Sequence, residues 1–139
     1  MKLQLNRGRH SVYLLLVHLI FVCKRRGKVF DQVHWQRLEL IFAKVCEDFE
    51  ATLVEFNGEQ DHVHLLVNYP PKVTVSGLVN SLKGVSSRRL KQEFPDLERF
   101  WSVRKSNGAL WSPSYFAASV GGAPIEILRQ YIEQQDRSD

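Results

Sequence analysis

Two histidines one residue apart, His62 and His64, are the groups best placed for chemistry in this chain. They lie in residues 59–68, Glu-Gln-Asp-His-Val-His-Leu-Leu-Val-Asn, which read as a strand. Side chains alternate along a strand, so Asp61, Val63, Leu65 and Val67 face one way and Gln60, His62, His64, Leu66 and Asn68 the other. Both faces carry apolar residues, as in a central strand covered on each side. The imidazoles then stand roughly 6–7 Å apart at Cα and can close on one divalent ion at about 2.1 Å each. The competing reading is a pair of hydrogen-bonded interior histidines, and a metal site also needs a third ligand from elsewhere in the chain.

A second candidate pair is Tyr131 and Gln135, four residues apart on an expected C-terminal helix and so about 6 Å apart on one flank. Taken alone, Tyr131 reads as a partly buried anchor and Gln135 as a surface residue. Basic groups gather in three places. Lys24, Arg25, Arg26 and Lys28 surround Gly27 in a turn. Lys83, Arg88 and Lys91 share one side of a helix, with Arg89 on its apolar flank in need of a partner. Arg104 and Lys105 fall in a polar loop. These are candidate phosphate contacts, with Ser86 and Ser87 as neutral donors. A solvated basic face is the alternative.

The surrounding elements follow from periodicity and turn residues. Residues 12–23 read as a long buried strand, and Asp31 caps a helix over 32–49 with Trp35, Leu38, Ile41, Phe42, Val45 and Phe49 on one face. Residues 51–56 read as a second strand, and Asn57-Gly58 predicts a hairpin into the histidine strand. Pro70-Pro71 ends that strand. A second helix over 75–94 carries Val75, Leu78, Val79, Leu82 and Val85 as its apolar stripe. A short apolar turn at 97–101 follows, then a fourth strand over 109–120, broken near Pro113. Gly121-Gly122 is a hinge, and Pro124 opens a final helix over about 124–136.

The order β, α, β, β, α, β, α predicts an α+β fold: a ferredoxin-like or RRM-like split βαβ antiparallel sheet, with an extra C-terminal helix carrying the tyrosine. The whole chain, 1–139, reads as one domain.

Composition narrows the function classes. Apolar residues make up 44% and charged residues 24% of 139, ordinary for a globular protein. The net charge of +4 suits a nucleic-acid partner without requiring one. Cys23 and Cys46 read as two buried thiols in a reducing cytosol. The apolar run after Lys2, Arg7 and Arg9 resembles a signal peptide, but His18 interrupts it and no cleavage site follows. It is too short to span a bilayer as a helix, so a cytoplasmic protein without a membrane partner is expected. Neither a GxxxxGK[ST] nor a GxGxxG loop is present, nor a CxxC pair.

The chain resembles the single-tyrosine HUH transposases of the IS200-like insertion sequences. The likeness rests on His62-Val63-His64, on Trp111-Ser112-Pro113-Ser114-Tyr115-Phe116, on Ser119-Val120-Gly121-Gly122-Ala123-Pro124, and on Tyr131 with Gln135. The runs at 82–89 and 21–30 add to it, and together they cover residues 10–135. The resemblance implies His62 and His64 as metal ligands, Gln135 as the third, Glu59 as an alternative ligand, and Tyr131 as nucleophile. It implies Mg²⁺ or Mn²⁺ and a single-stranded DNA substrate with a hairpin. It also implies an obligate homodimer whose active sites are shared, and cleavage and rejoining through a 5′-phosphotyrosine.

Three rival readings are a transposase domesticated to repeated palindromes, a non-catalytic RNA-binding module, and a plain metal phosphodiesterase. The second wants exposed aromatics on central strands, which residues 59–68 lack. The third would not need Tyr131.

Overall fold

The computed structural model describes residues 6–97, 109–120 and 132–133 in full, and the backbone alone of 98–100. Four strands form the main sheet: β3 (Leu16–Val22), β4 (Thr52–Gly58), β5 (His62–Asn68) and β6 (Phe116–Ser119). Their order is β4-β5-β3-β6, and every neighbouring pair is antiparallel. Helices α1 (Gln32–Asp48) and α2 (Val75–Glu93) complete the β-α-β-β-α-β order expected for a split βαβ fold.

Both helices pack on one face of the sheet. Val17, Leu19, Phe21 and Cys23 of the first strand region and Val63, Leu65 and Val67 of β5 share a core with Leu38, Ile41, Phe42 and Val45 of α1 and Leu78, Val79 and Leu82 of α2. This is the period-two set expected from sequence, meeting two 3.6-period stripes. The opposite face carries His18, Ile20 and Val22 of β3, and His62, His64 and Leu66 of β5, by register. Ile20, Val22 and Leu66 are buried there too, so the central strands are apolar on both sides as predicted.

The helix starts are chemically specified. Asp31 accepts a hydrogen bond from the Val33 N–H at 3.2 Å, and the ring of buried His34 accepts one from the Asp31 N–H. Thr74 Oγ1 accepts from the Gly77 N–H at 3.1 Å. Glu93, at the end of α2, holds both Arg37 of α1 and Arg89 of its own helix. Arg89 thus has its partner, and it lies exposed instead of on the apolar flank.

Three expectations are corrected. The run 12–23 is not one strand: Val12–Tyr13 (β2) pairs with Asn6–Arg7 (β1) in a separate hairpin. The reason lies across the sheet, where Leu16 already faces Asn68, the last residue of β5. The Tyr69 N–H still reaches the Leu15 carbonyl, but Pro70 and Pro71 offer no N–H to prolong the ladder further, so Val12 and Tyr13 find another partner. Secondly, Asn57-Gly58 is not the turn. Both residues pair within the hairpin, opposite His64 and Val63, and the chain reverses over 59–61. A side chain at Gly58 would collide with Trp35, its Cβ falling 2.2 Å from the indole Cδ1. The glycine therefore serves close packing. Thirdly, the fourth strand is only Phe116–Ser119, preceded by one bridge between Trp111 and Cys23.

Candidate functional site

His62 and His64 leave the same face of β5, next to β3 on one side and β4 on the other. Their ring centroids are 5.0 Å apart and the planes cross at 70°. The two rings sit in different environments. Burial, and then the neighbouring His62 and His18 imidazoles, push the His64 pKa down to about 4. It is therefore neutral at pH 7, the state that binds metal. The His62 Nδ1 lies 2.7 Å from Asp61 Oδ1, and the other carboxylate oxygen accepts a hydrogen bond from Arg26 Nε at 3.0 Å. Burial pushes the Asp61 carboxyl up, but hydrogen bonds and charge from His62 and Arg26 outweigh it and hold it below its usual range.

Asp61 is the residue that alternation misplaced. It stands one position before β5 begins, in the turn, and its side chain lies against the ring of His62. An acidic residue directly preceding a His-x-His pair at a strand start was the signal available.

Two imidazoles on one sheet face are donors of the kind that a divalent ion accepts. Among the described residues no group of three His, Cys, Asp or Glu is arranged to hold a metal ion by itself. Glu59 is exposed in the 59–61 turn, where its carbonyl accepts from Trp35 Nε1 and its N–H donates to the His62 carbonyl. Tyr131, Gln135, Arg104 and Lys105 lie outside the described residues.

The basic candidates divide. Lys24, Arg25 and Arg26 form a single 3-10 turn; Arg25 and Lys28 are exposed, and Arg26 is joined to Asp61. Arg88 is exposed and Lys91 half-buried on α2. Lys83 is engaged within the protein: its Nζ donates to the carbonyls of Ser112 at 2.6 Å and Ser114 at 3.2 Å, and lies 5.9 Å from the Tyr115 ring centre. Ser86 is corrected outright. It is fully buried, accepts from Trp111 Nε1 at 2.9 Å and donates to the Lys83 carbonyl, so it is a strut and not a phosphate donor. The stripe of α2 accordingly continues through Ser86 and Leu90, both buried.

A family model described as "Transposase IS200 like" matches residues 11–135. The chain belongs to the IS200-like transposase family. It is 32% identical over 134 residues to the ISDra2 transposase TnpA of Deinococcus radiodurans, covering 96% of this chain and 92% of that protein. It is 30% identical over 130 residues to the transposase for insertion sequence element IS200 of Salmonella typhimurium, covering 94% of this chain and 82% of the relative. The crystal structure of a Deinococcus radiodurans protein described as a transposase superposes with a TM-score of 0.83 at 32% identity, covering 94% of this chain and 97% of the other. A REP-associated tyrosine transposase bound to a REP hairpin shares the fold at a TM-score of 0.54 and 12% identity, with 91% of this chain and 69% of that one covered. This IS200-like transposase is therefore an enzyme of DNA recombination by family. No helix among its described residues is long and apolar enough to cross a membrane.

Proposed function

We propose that this transposase cleaves and rejoins single-stranded DNA at insertion-sequence ends in a metal-dependent reaction with Tyr131 as nucleophile. The observation that carries the reading is the imidazole pair on β5, with one ring neutral and the other anchored by a carboxylate. His62 and His64 would hold Mg²⁺ or Mn²⁺, with Gln135 or Glu59 as the further ligand. A bound ion would supply Lewis acidity, making the scissile phosphate a better electrophile and steadying the departing oxygen.

That help is needed because a tyrosine hydroxyl with a pKa near 10 is only about one part in a thousand ionised at pH 7. The Tyr131 oxygen attacks phosphorus and loses its proton to solvent. The phosphotyrosyl bond forms as the bond to the 3′-oxygen of the preceding nucleotide breaks, and that oxygen takes up a proton. A 5′-phosphotyrosine and a free 3′-hydroxyl result. Attack by a 3′-hydroxyl reverses the exchange, so rejoining conserves the ester and needs no nucleotide cofactor.

The substrate we assign is DNA with a folded hairpin, the class bound by the REP-associated neighbour of like fold. Lys24, Arg25, Lys28, Arg88, Lys91, Arg104 and Lys105 are the cations we assign to its phosphates, giving affinity that falls with salt. The working unit is a homodimer in which histidines of one chain meet the tyrosine of the other.

The test is incubation with a hairpin oligonucleotide and Mg²⁺, followed by mass spectrometry for a nucleotide adduct on Tyr131. An adduct that is absent from Tyr131→Phe and from His62→Ala, and that returns when those two chains are mixed, supports the reading with shared sites. Cleavage persisting in Tyr131→Phe would instead favour a plain metal phosphodiesterase.

A further inference from the structure

We infer that Asp61 is a positioning residue for the metal-binding function of His62, and that Arg26 holds Asp61 in the orientation this requires. The inference rests on the metal reading above and adds to it a part that no ligand assignment contains.

The geometry is a chain of three side chains. Arg26 Nε reaches Asp61 Oδ2 at 3.0 Å, and Asp61 Oδ1 reaches His62 Nδ1 at 2.7 Å. The side chains of Asp61 and His62 are 12% and 13% exposed and that of Arg26 28%, so water competes weakly for the inner link. A carboxylate only accepts hydrogen bonds, so the proton of a neutral His62 ring stays on Nδ1. Nε2 is then bare and its lone pair is available to an ion. A carboxylate on the far nitrogen fixes tautomer and ring orientation together and raises the basicity of the ligating nitrogen.

The backbone around this chain is arranged to keep it. Arg25 and Arg26 have φ of 57° and 51°, the left-handed region that side chains disfavour. Arg26 is delivered to Asp61 from that turn. The turn is latched to the 59–61 reversal by the Cys23 N–H on the Asp61 carbonyl at 2.8 Å, and by the Val29 and Phe30 N–H groups on the Gln60 carbonyl at 3.0 Å each. Two loops far apart in sequence thus meet beside His62, and Arg26 to Asp61 is a side-chain bond that joins them.

The experiment uses the ¹⁵N-labelled full chain at pH 8 in EDTA, with the His62 ring assigned by comparison with His62→Ala. Two-bond ¹H–¹⁵N spectra report the tautomer, and calorimetry with Mn²⁺ reports affinity. The wild type should carry the proton on Nδ1. Asp61→Ala should populate the Nε2–H tautomer and weaken Mn²⁺ binding by about 10–100-fold. Arg26→Gln should weaken it in the same direction by less, and Asp61→Asn serves if the alanine variant does not fold. A wild-type His62 protonated on Nε2, or a folded Asp61 variant with Mn²⁺ affinity within about threefold of wild type, would overturn the positioning role alone. An Nδ1–H tautomer in a wild type that binds no Mn²⁺ would overturn both this inference and the metal reading.

Discussion

Replacing Ser86 by alanine removes one oxygen from the centre of the molecule, and the structure sets what that should cost. Ser86 is fully buried on α2 and its Oγ accepts from the Trp111 indole N–H at 2.9 Å. The indole is only 4% exposed and packs against Phe21, Phe30 and Phe42, so no water can take the place of the hydroxyl. Leaving that donor unpaired costs about 1–3 kcal/mol. Trp111→Phe removes the donor together with part of the ring, and the void it leaves costs about 1–3 kcal/mol. In the Trp111→Phe background there is no donor to strand, so Ser86→Ala should then cost less than about 0.5 kcal/mol. The double-mutant cycle should therefore return a coupling of about 1–2 kcal/mol. Urea unfolding measures all four proteins, with an unchanged m-value as the check that the transitions remain comparable. A single Ser86→Ala variant indistinguishable from wild type, or the same cost in both backgrounds, would refute the buried-strut argument.

Gly58→Ala should lower stability by about 1–3 kcal/mol in urea unfolding: the new methyl displaces Trp35, whose Nε1 holds the Glu59 carbonyl at 3.0 Å. A neutral outcome would mean that the indole has another resting place. Acidification should destabilise the metal-free protein. The folded His64 pKa is depressed to about 4 against about 6.5 unfolded, so its contribution is complete above pH 6.5 and is lost as pH falls towards 4. The shift is worth at most about 3 kcal/mol and, with the ring only half-buried, about 1–2 kcal/mol after screening. Asp61, also depressed, adds loss at lower pH. Urea midpoints between pH 7.5 and 4 check this, and a midpoint that rises on acidification has the wrong sign. EDTA should abolish strand cleavage and Mn²⁺ restore it, while far-ultraviolet circular dichroism is unchanged because the shared helix-side core needs no ion; cleavage in EDTA would refute the metal requirement.

Much of the fold was legible because its signals are local. The stripe of α1, the Asp31 cap and the alternation of β5 from His62 onward each use one short window of sequence, and each stands as read. What escaped depends on residues distant in the chain. The start of β3 is set by Pro70 and Pro71 across the sheet, and the role of Gly58 by an indole 23 positions earlier. Ser86 reads as a surface serine until Trp111 is brought against it, and Lys83 as a surface cation until the 112–114 carbonyls are. At the site, the histidine pair was visible as a spacing. The Arg26–Asp61 support behind it was not, since it joins two turns 35 residues apart. The tyrosine and glutamine assignments come from resemblance, and both residues lie outside the described part of the chain.

The place of β3 in the sheet bears on how this protein is made. Its neighbours are β5 and β6, and its pairing with Phe116–Ser119 spans roughly 100 residues of chain. At bacterial-like synthesis rates of about 5–20 residues per second, this apolar ribbon leaves the ribosome many seconds before its last neighbour exists. During that interval the edge that β6 will cover is open to self-association. The cations at Arg7, Arg9 and residues 24–28 bracket it on both sides, where like charges on two nascent copies would keep the ribbons apart.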